Sequence, residues 1–264
     1  MTSRHNHSHP VISDLRARIA HIERGNRETQ PETNTPTILK IGIQVLDSHL
    51  PDGGLTLGAL HEVTTPKPAD TAAATSFCLS LLSSLLRSYK GMALWCHNIN
   101  MLDAGEVYPP GLIHHGIAPE RLVILKLKRD EDVLWSMEEA LRSKGPVCVL
   151  GEVAYASLTA TRRLQLAAQY ADLPALILRP GWQGEQNSAA STRWRITTQK
   201  SRQLGLAKTL NEPGNPCWQA ELYRCRRGAP GIWKVEWHNE TGDLSLAASV
   251  IDRPSKPFNT DVAG

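Results

Sequence analysis

The residues best placed to do chemistry are TPKPADTA, Thr65 to Ala72. An apolar run, ALHEV at 59–63, leads into them, and a run of small and apolar residues that reads as a helix follows. Strand, loop and helix in that order frame a phosphate-binding loop, which needs the spacing G-x-x-x-x-G-K-[ST]. There the glycines let backbone N–H groups curl round a phosphate, the lysine neutralises it, and the hydroxyl holds magnesium. On that spacing Thr65 stands at the first glycine, Asp70 at the second, Thr71 at the lysine and Ala72 at the hydroxyl. Asp70 sets a carboxylate beside the phosphate position, Thr71 brings no charge, and Ala72 cannot ligate a metal. At roughly 1.5–3 kcal/mol per charge-assisted contact, three losses remove about 4–9 kcal/mol. That is about three to six orders of magnitude in affinity. Lys67 is the one cation within the loop that could compensate. The scaffold is kept and the site is lost.

Other reactive residue types point to no site. His5, His7 and His9 alternate in the polar start, but with no second shell to fix them they read as a solvated tail. His114 and His115 are adjacent, so their side chains point apart, and they read as a loop or surface pair. The five cysteines (Cys78, Cys96, Cys148, Cys217, Cys225) form no C-x-x-C, and three lie in apolar runs. Buried, reduced thiols of a cytoplasmic protein are expected. Neither a metal nor a cofactor is implied.

The 264 residues, 41% hydrophobic and 21% charged, fit one globular domain with appendages, or at most two domains. No apolar run reaches transmembrane length, and the start is too polar for a signal peptide, so no membrane partner is expected. The net charge of +3 is mild, but residues 190–237 carry nine Lys/Arg against three Glu.

These residues need elements to position them. Residues 11–24 read as a short amphipathic helix with Leu15, Ile19 and Ile22 on one face and Arg16 and Arg18 elsewhere. Such a helix is marginal alone and should dock on something. Residues 25–36 are a polar tether with two prolines, so 1–36 form a flexible segment. Residues 37–43, 92–96, 121–126, 146–150 and 175–178 read as strands. Residues 71–89, 130–143 and 158–170 read as helices. Strands alternating with helices from Leu60 to Leu178 predict an α/β fold with a mostly parallel sheet flanked by helices. Beyond the loop 180–191 the period changes to two: 193–198, 219–225 and 232–237 read as antiparallel strands, with a Gly228–Gly231 hairpin turn. Trp233, Val235 and Trp237 share one face. The main domain spans 37–240, and 241–264 reads as a polar tail without fixed structure.

This layout resembles the RecA-type recombinase core. Residues 38–63, ILKIGIQVLDSHLPDGGLTLGALHEV, are similar to that family's opening segment, and 101–124, MLDAGEVYPPGLIHHGIAPERLVI, to the stretch after its second strand. The resemblance puts a water-activating glutamate at Ile99 and a magnesium-organising aspartate at Gly151, so both are missing. Glu152 stands one place late, on the other side of the pleat. The ending 222–237, LYRCRRGAPGIWKVEW, resembles the closing hairpin of recombinase and helicase cores. That resemblance makes Arg224 and Arg226 basic residues able to reach a neighbour's nucleotide site.

A RecA-like framework with its catalytic positions lost resembles the ImuA family, accessory proteins of bacterial mutagenesis cassettes. The segments LRARIAHIE, LPDGGLTLGALHEV and RWRI to CRRGAPGIWKVEW carry the likeness, over about 15–237. It implies a non-enzymatic role in damage-induced translesion synthesis. The partners implied are ImuB, an inactive Y-family polymerase relative, an error-prone C-family polymerase, and the RecA recombinase. Leu15, Ile19, Ile22, Arg16 and Arg18 are then candidate partner contacts. Arg193, Arg195, Lys200, Arg202, Arg224, Arg226 and Arg227 are candidate DNA or trans-acting residues, with Trp182 and Trp194 as stacking surfaces, although the alternation of its strand favours the core for Trp194. Two rivals remain at this point: a SulA-like division inhibitor, which also lacks the loop, and a weak ATPase built from Lys67 and Glu152.

Overall fold

The computed structural model describes residues 38–105, 107–181, 187–201, 209–210, 212, 214–238 and 241–247. The helix expected at 11–24, and with it Leu15, Arg16, Arg18, Ile19 and Ile22, lies outside them, as do Trp182 and Arg202.

In chain order the elements are β1 (Ile38–Leu39), α1 (Gln44–Asp47), β2 (Leu55–Thr56), β3 (Leu60–Thr64), α2 (Thr71–Ser88), β4 (Ala93–Asn98) and α3 (Pro109–His114). Then come β5 (Leu122–Leu127), α4 (Asp130–Ser143), β6 (Cys148–Glu152), α5 (Leu158–Ala171) and β7 (Ala175–Arg179). The last four are β8 (Thr192–Gln199), β9 (Cys217–Cys225), β10 (Gly231–His238) and β11 (Asp243–Leu246). Nine strands form one sheet in the order β11-β10-β9-β8-β3-β7-β6-β4-β5, and β1 and β2 make a separate antiparallel ribbon. From β8 to β5 every pairing is parallel; β8–β9, β9–β10 and β10–β11 are antiparallel. The mostly parallel sheet with an antiparallel extension is the architecture the changing period predicts.

Parallel strands covered on both faces must be apolar throughout, and β6 and β7 are buried along their whole length. One face carries α2, whose Phe77, Cys78, Leu81, Leu82 and Leu85 meet Trp95, Leu150, Trp194, Trp218, Trp233 and Trp237. The other carries α4 and α5, with Val133, Met137, Leu141, Leu164 and Ala168 on Val149, Val153 and Ile177. In β10 Trp233, Val235 and Trp237 are buried and Ile232 and Lys234 exposed, but the alternation breaks at Glu236, which is buried and bonded to Asn215. The expectation that no apolar run reaches transmembrane length is corrected at Pro68–Ser88, the one described stretch long and apolar enough to cross a membrane, although 67% of its apolar window is buried in this core.

Two boundaries differ from expectation. The strand read over 37–43 shrinks to Ile38–Leu39, because the Asp47 carboxylate takes the N–H groups of Ile41 (2.9 Å) and Gly42 (3.1 Å) that would have continued the ladder. The stretch read as tail from 241 opens with β11, which pairs with β10 from Val235↔Leu246 to His238↔Asp243. The turn at Gly242, φ 69°, puts it there.

Candidate functional site

In open α/β sheets ligands lie beyond the carboxyl ends of the strands. Here that edge holds the 65–70 loop after β3 and the ends of β7, β6 and β4. The loop is filled by its own contacts. Thr65 N–H donates to the Arg179 carbonyl (3.4 Å), and its hydroxyl accepts from Gly181 N–H (2.7 Å). Asp70 N–H donates to the Lys67 carbonyl (3.0 Å), and the Thr71 hydroxyl to the Pro68 carbonyl (2.6 Å). The Asp70 carboxylate, buried, leaves its own helix uncapped and accepts from Thr198 N–H on β8 at 2.8 Å. Pro66 and Pro68 have no N–H to offer a phosphate. Their meaning was readable in the sequence and escaped the motif comparison, which counts only the fixed positions. Lys67 and Ala72 are exposed.

Beside the loop, Gly151 and Glu152 face opposite sides of β6, as the pleat predicts. Gly151 faces α4: a Cβ there would run into the Met137 side chain. Glu152 instead shares the α2 face with Cys148 and Leu150. Its Oε2 lies 2.7 Å from His97 Nδ1, with both side chains almost wholly buried. His97 Nε2 is buried without a partner. Burial first, and the Glu152 carboxylate second, raise the Cys78 thiol above its ordinary range. His97 carried no sequence signal beyond its place at the end of an apolar strand. Ile99 opens a 3-10 turn and is half-buried, with no group to activate water. Asp130, at the start of α4, accepts from Asn98 Nδ2 (2.6 Å) and from the N–H groups of Ala154 (3.3 Å) and Tyr155 (2.8 Å). These bonds tie the tops of β4, β6 and α4 together.

On the α5 side, Glu62 is buried between two arginines. Arg179 Nη1 lies 3.0 Å from its Oε1 and Arg193 Nε 3.2 Å from its Oε2. Arg193 is thereby a correction among the candidate phosphate contacts: at 4% exposure its guanidinium is spent on Glu62. Arg195 is half-exposed, bonds Glu221 at 2.8 Å, and stacks on Tyr223, which Arg193 flanks on its own side. Lys200, Arg224, Arg226 and Arg227 are exposed. The hairpin tip is anchored in its own chain. Ala229 N–H donates to the His49 carbonyl (2.9 Å), His49 packs edge-on against Trp233, and Arg227 approaches Asp52 at 3.9 Å. Trp194 is core, as expected. The histidine pair divides: His114 is exposed, whereas His115 is buried against Trp237 (centroids 5.1 Å), and burial lowers its pKa to about 4. Four cysteines are buried and Cys225 is half-buried, all free, with burial raising Cys96 and Cys148 to about 12. Among the described residues no group of three or more His, Cys, Asp or Glu could hold a metal.

Fold and site together define an α/β protein with a mixed, mostly parallel sheet, whose loop after β3 is held by hydrogen bonds of its own residues. The chain is 33% identical over 220 residues to Protein ImuA of Caulobacter vibrioides, strain NA1000 / CB15N, covering 77% of this chain and 85% of the relative. The same figures hold for Protein ImuA of strain ATCC 19089 / CIP 103742 / CB 15. No family model matches the chain. At that identity and coverage, the chain belongs to the ImuA family.

Proposed function

We propose that this protein is a non-catalytic, RecA-like accessory scaffold in damage-induced translesion synthesis, working with an ImuB-type inactive polymerase relative and an error-prone C-family polymerase. The strand order β5-β4-β6-β7-β3-β8, with α2 following β3, supports the RecA-like reading. The observation that carries the non-catalytic reading is the closed loop. Asp70, at the motif's second-glycine position, bonds to β8, and two prolines remove donors. Membership of the ImuA family supports the place in mutagenesis. The exposed Arg224, Arg226 and Arg227 support a DNA backbone contact.

The test is affinity capture of the full chain from its host after DNA damage, with mass spectrometry, beside calorimetric titration with ATP and magnesium. Recovery of the inactive polymerase relative, the error-prone polymerase or the recombinase, with no heat of nucleotide binding, is the expected pair of results. Recovery of the division GTPase alone would overturn the mutagenesis role. Saturable ATP binding would overturn the non-catalytic one.

A further inference from the structure

The layer of α4 and α5 has an unusual outer surface. Between the two helices runs a cleft of about 210 Å³, with Leu134, Ala160 and Leu164 in its lining. Its rim is aromatic: Trp135 is 60% exposed and Tyr155 50%. Farther along α5, Leu166 and Tyr170 are also exposed. Single exposed apolar residues need no explanation, but a row of large ones along one layer marks a surface built to be covered. The cleft's charged lining is Asp130, Glu131 and Glu138 against Arg163, a net −2, which Arg142 on Glu138 (2.6 Å) reduces to −1.

The sequence holds an occupant of matching chemistry. Thirty-seven residues precede Ile38, and within them Leu15, Ile19 and Ile22 recur at i, i+4 and i+7. That is the anchor spacing of a helix laid in an apolar groove. A helix of 14 residues cannot hold itself in water. Arg16, Arg18 and Arg24 against Asp14 and Glu23 give residues 11–24 a net +1, opposite in sign to the cleft. Residues 25–37, with two prolines among them, reach about 43 Å when extended, at roughly 3.3 Å per residue. That span, about twice the length of a helix such as α4, has to carry the chain round the sheet, because Ile38 lines a hollow with Ser84 and Arg87 of α2 on the opposite face.

We infer that the α4–α5 cleft seats the chain's own residues 11–24 as a helix, in cis, with Leu15, Ile19 and Ile22 turned into it and Trp135 and Tyr155 closing over them. The inference stands apart from the nucleotide and mutagenesis readings. It gives the segment a resting place from which a partner would have to take it.

Hydrogen–deuterium exchange on the full chain tests it, comparing the unaltered protein with Trp135→Glu and with Leu15→Glu/Ile19→Glu at low and high protein concentration. Trp135 is exposed, so its substitution spares the fold; the second variant leaves the cleft untouched. Amides of 15–22 are expected to exchange about tenfold or more slowly than open chain, equally at both concentrations. Both variants should release them, and Leu15→Glu/Ile19→Glu should also speed exchange over 131–138. Absence of protection in the unaltered protein overturns the inference, as does protection that survives Trp135→Glu. Protection that grows with concentration, with dimers in sedimentation, overturns the cis placement and gives the cleft to a second copy.

Discussion

Asp70 joins the start of α2 to the antiparallel half of the sheet through Thr198. Asp70→Ala should therefore destabilise the fold by about 1.5–3 kcal/mol, as for loss of a bond to a charged group, read from urea unfolding, and should not create ATP binding. Restoring the motif letters alone, Asp70→Gly with Thr71→Lys and Ala72→Ser, should also fail to bind ATP by calorimetry, because Pro66 and Pro68 still lack N–H groups. Two histidines set a pH dependence. Burial lowers His61 and His115 to about 4 from 6.5. Between those values the unfolded chain binds protons that the fold excludes, so stability falls as pH drops below 6.5. The slope is about 1.4 kcal/mol per pH unit for each histidine. Urea midpoints at pH 7.5 and 5 check this, and His115→Phe, which can keep the Trp237 contact, should halve the loss. At this scale the sequence showed which residues stand at the motif's positions but not what they bind. The partner of Asp70 lies 128 residues away, and those of Glu62 lie 117 and 131 away. No local pattern reports such pairings, although a glutamate inside the apolar run 59–63 was a signal that a buried cation must answer it.

The elements themselves were legible, because hydrophobic period changes sharply from continuous runs to strict alternation near residue 192. What the period could not give was the facing of a strand's last residue. Neighbours in a strand face opposite sides, which the sequence did give for Gly151 and Glu152; that Gly151 faces α4 and Glu152 faces α2 it did not. The packing of α4 on β6 explains why glycine stands at 151: Met137 occupies the space of a side chain there. Gly151→Ala should cost about 1–3 kcal/mol by overpacking, and Gly151→Asp more, since it also buries a charge. Met137→Ala should recover part of the loss in Gly151→Ala, because the two side chains compete for one volume. Thermal unfolding of the two single variants and the double completes the cycle. A loss that is merely additive would place the strain elsewhere.

Over the whole molecule, arginines fall into two populations that the sequence lists side by side. Arg179 and Arg193 are inside, held on Glu62. Arg224, Arg226 and Arg227 are outside, at the tip of a hairpin that His49 anchors through backbone. The two sets should separate cleanly in experiment. Arg193→Ala strips one cation from a buried carboxylate and should cost about 3–5 kcal/mol. Replacing Arg224, Arg226 and Arg227 together by Ala touches exposed side chains only and should stay within about 0.5 kcal/mol per site. If the tip meets a DNA backbone, as proposed, that triple variant loses affinity for single strands, and the dependence of log K on log salt becomes shallower by about 2, or 0.7 per phosphate contact released. A slope left unchanged, with stability also unchanged, would remove the hairpin from any DNA path. The basic segment would then be only a solvated tip: its hairpin is no edge but lies inside the sheet, whose edges are β11 and β5.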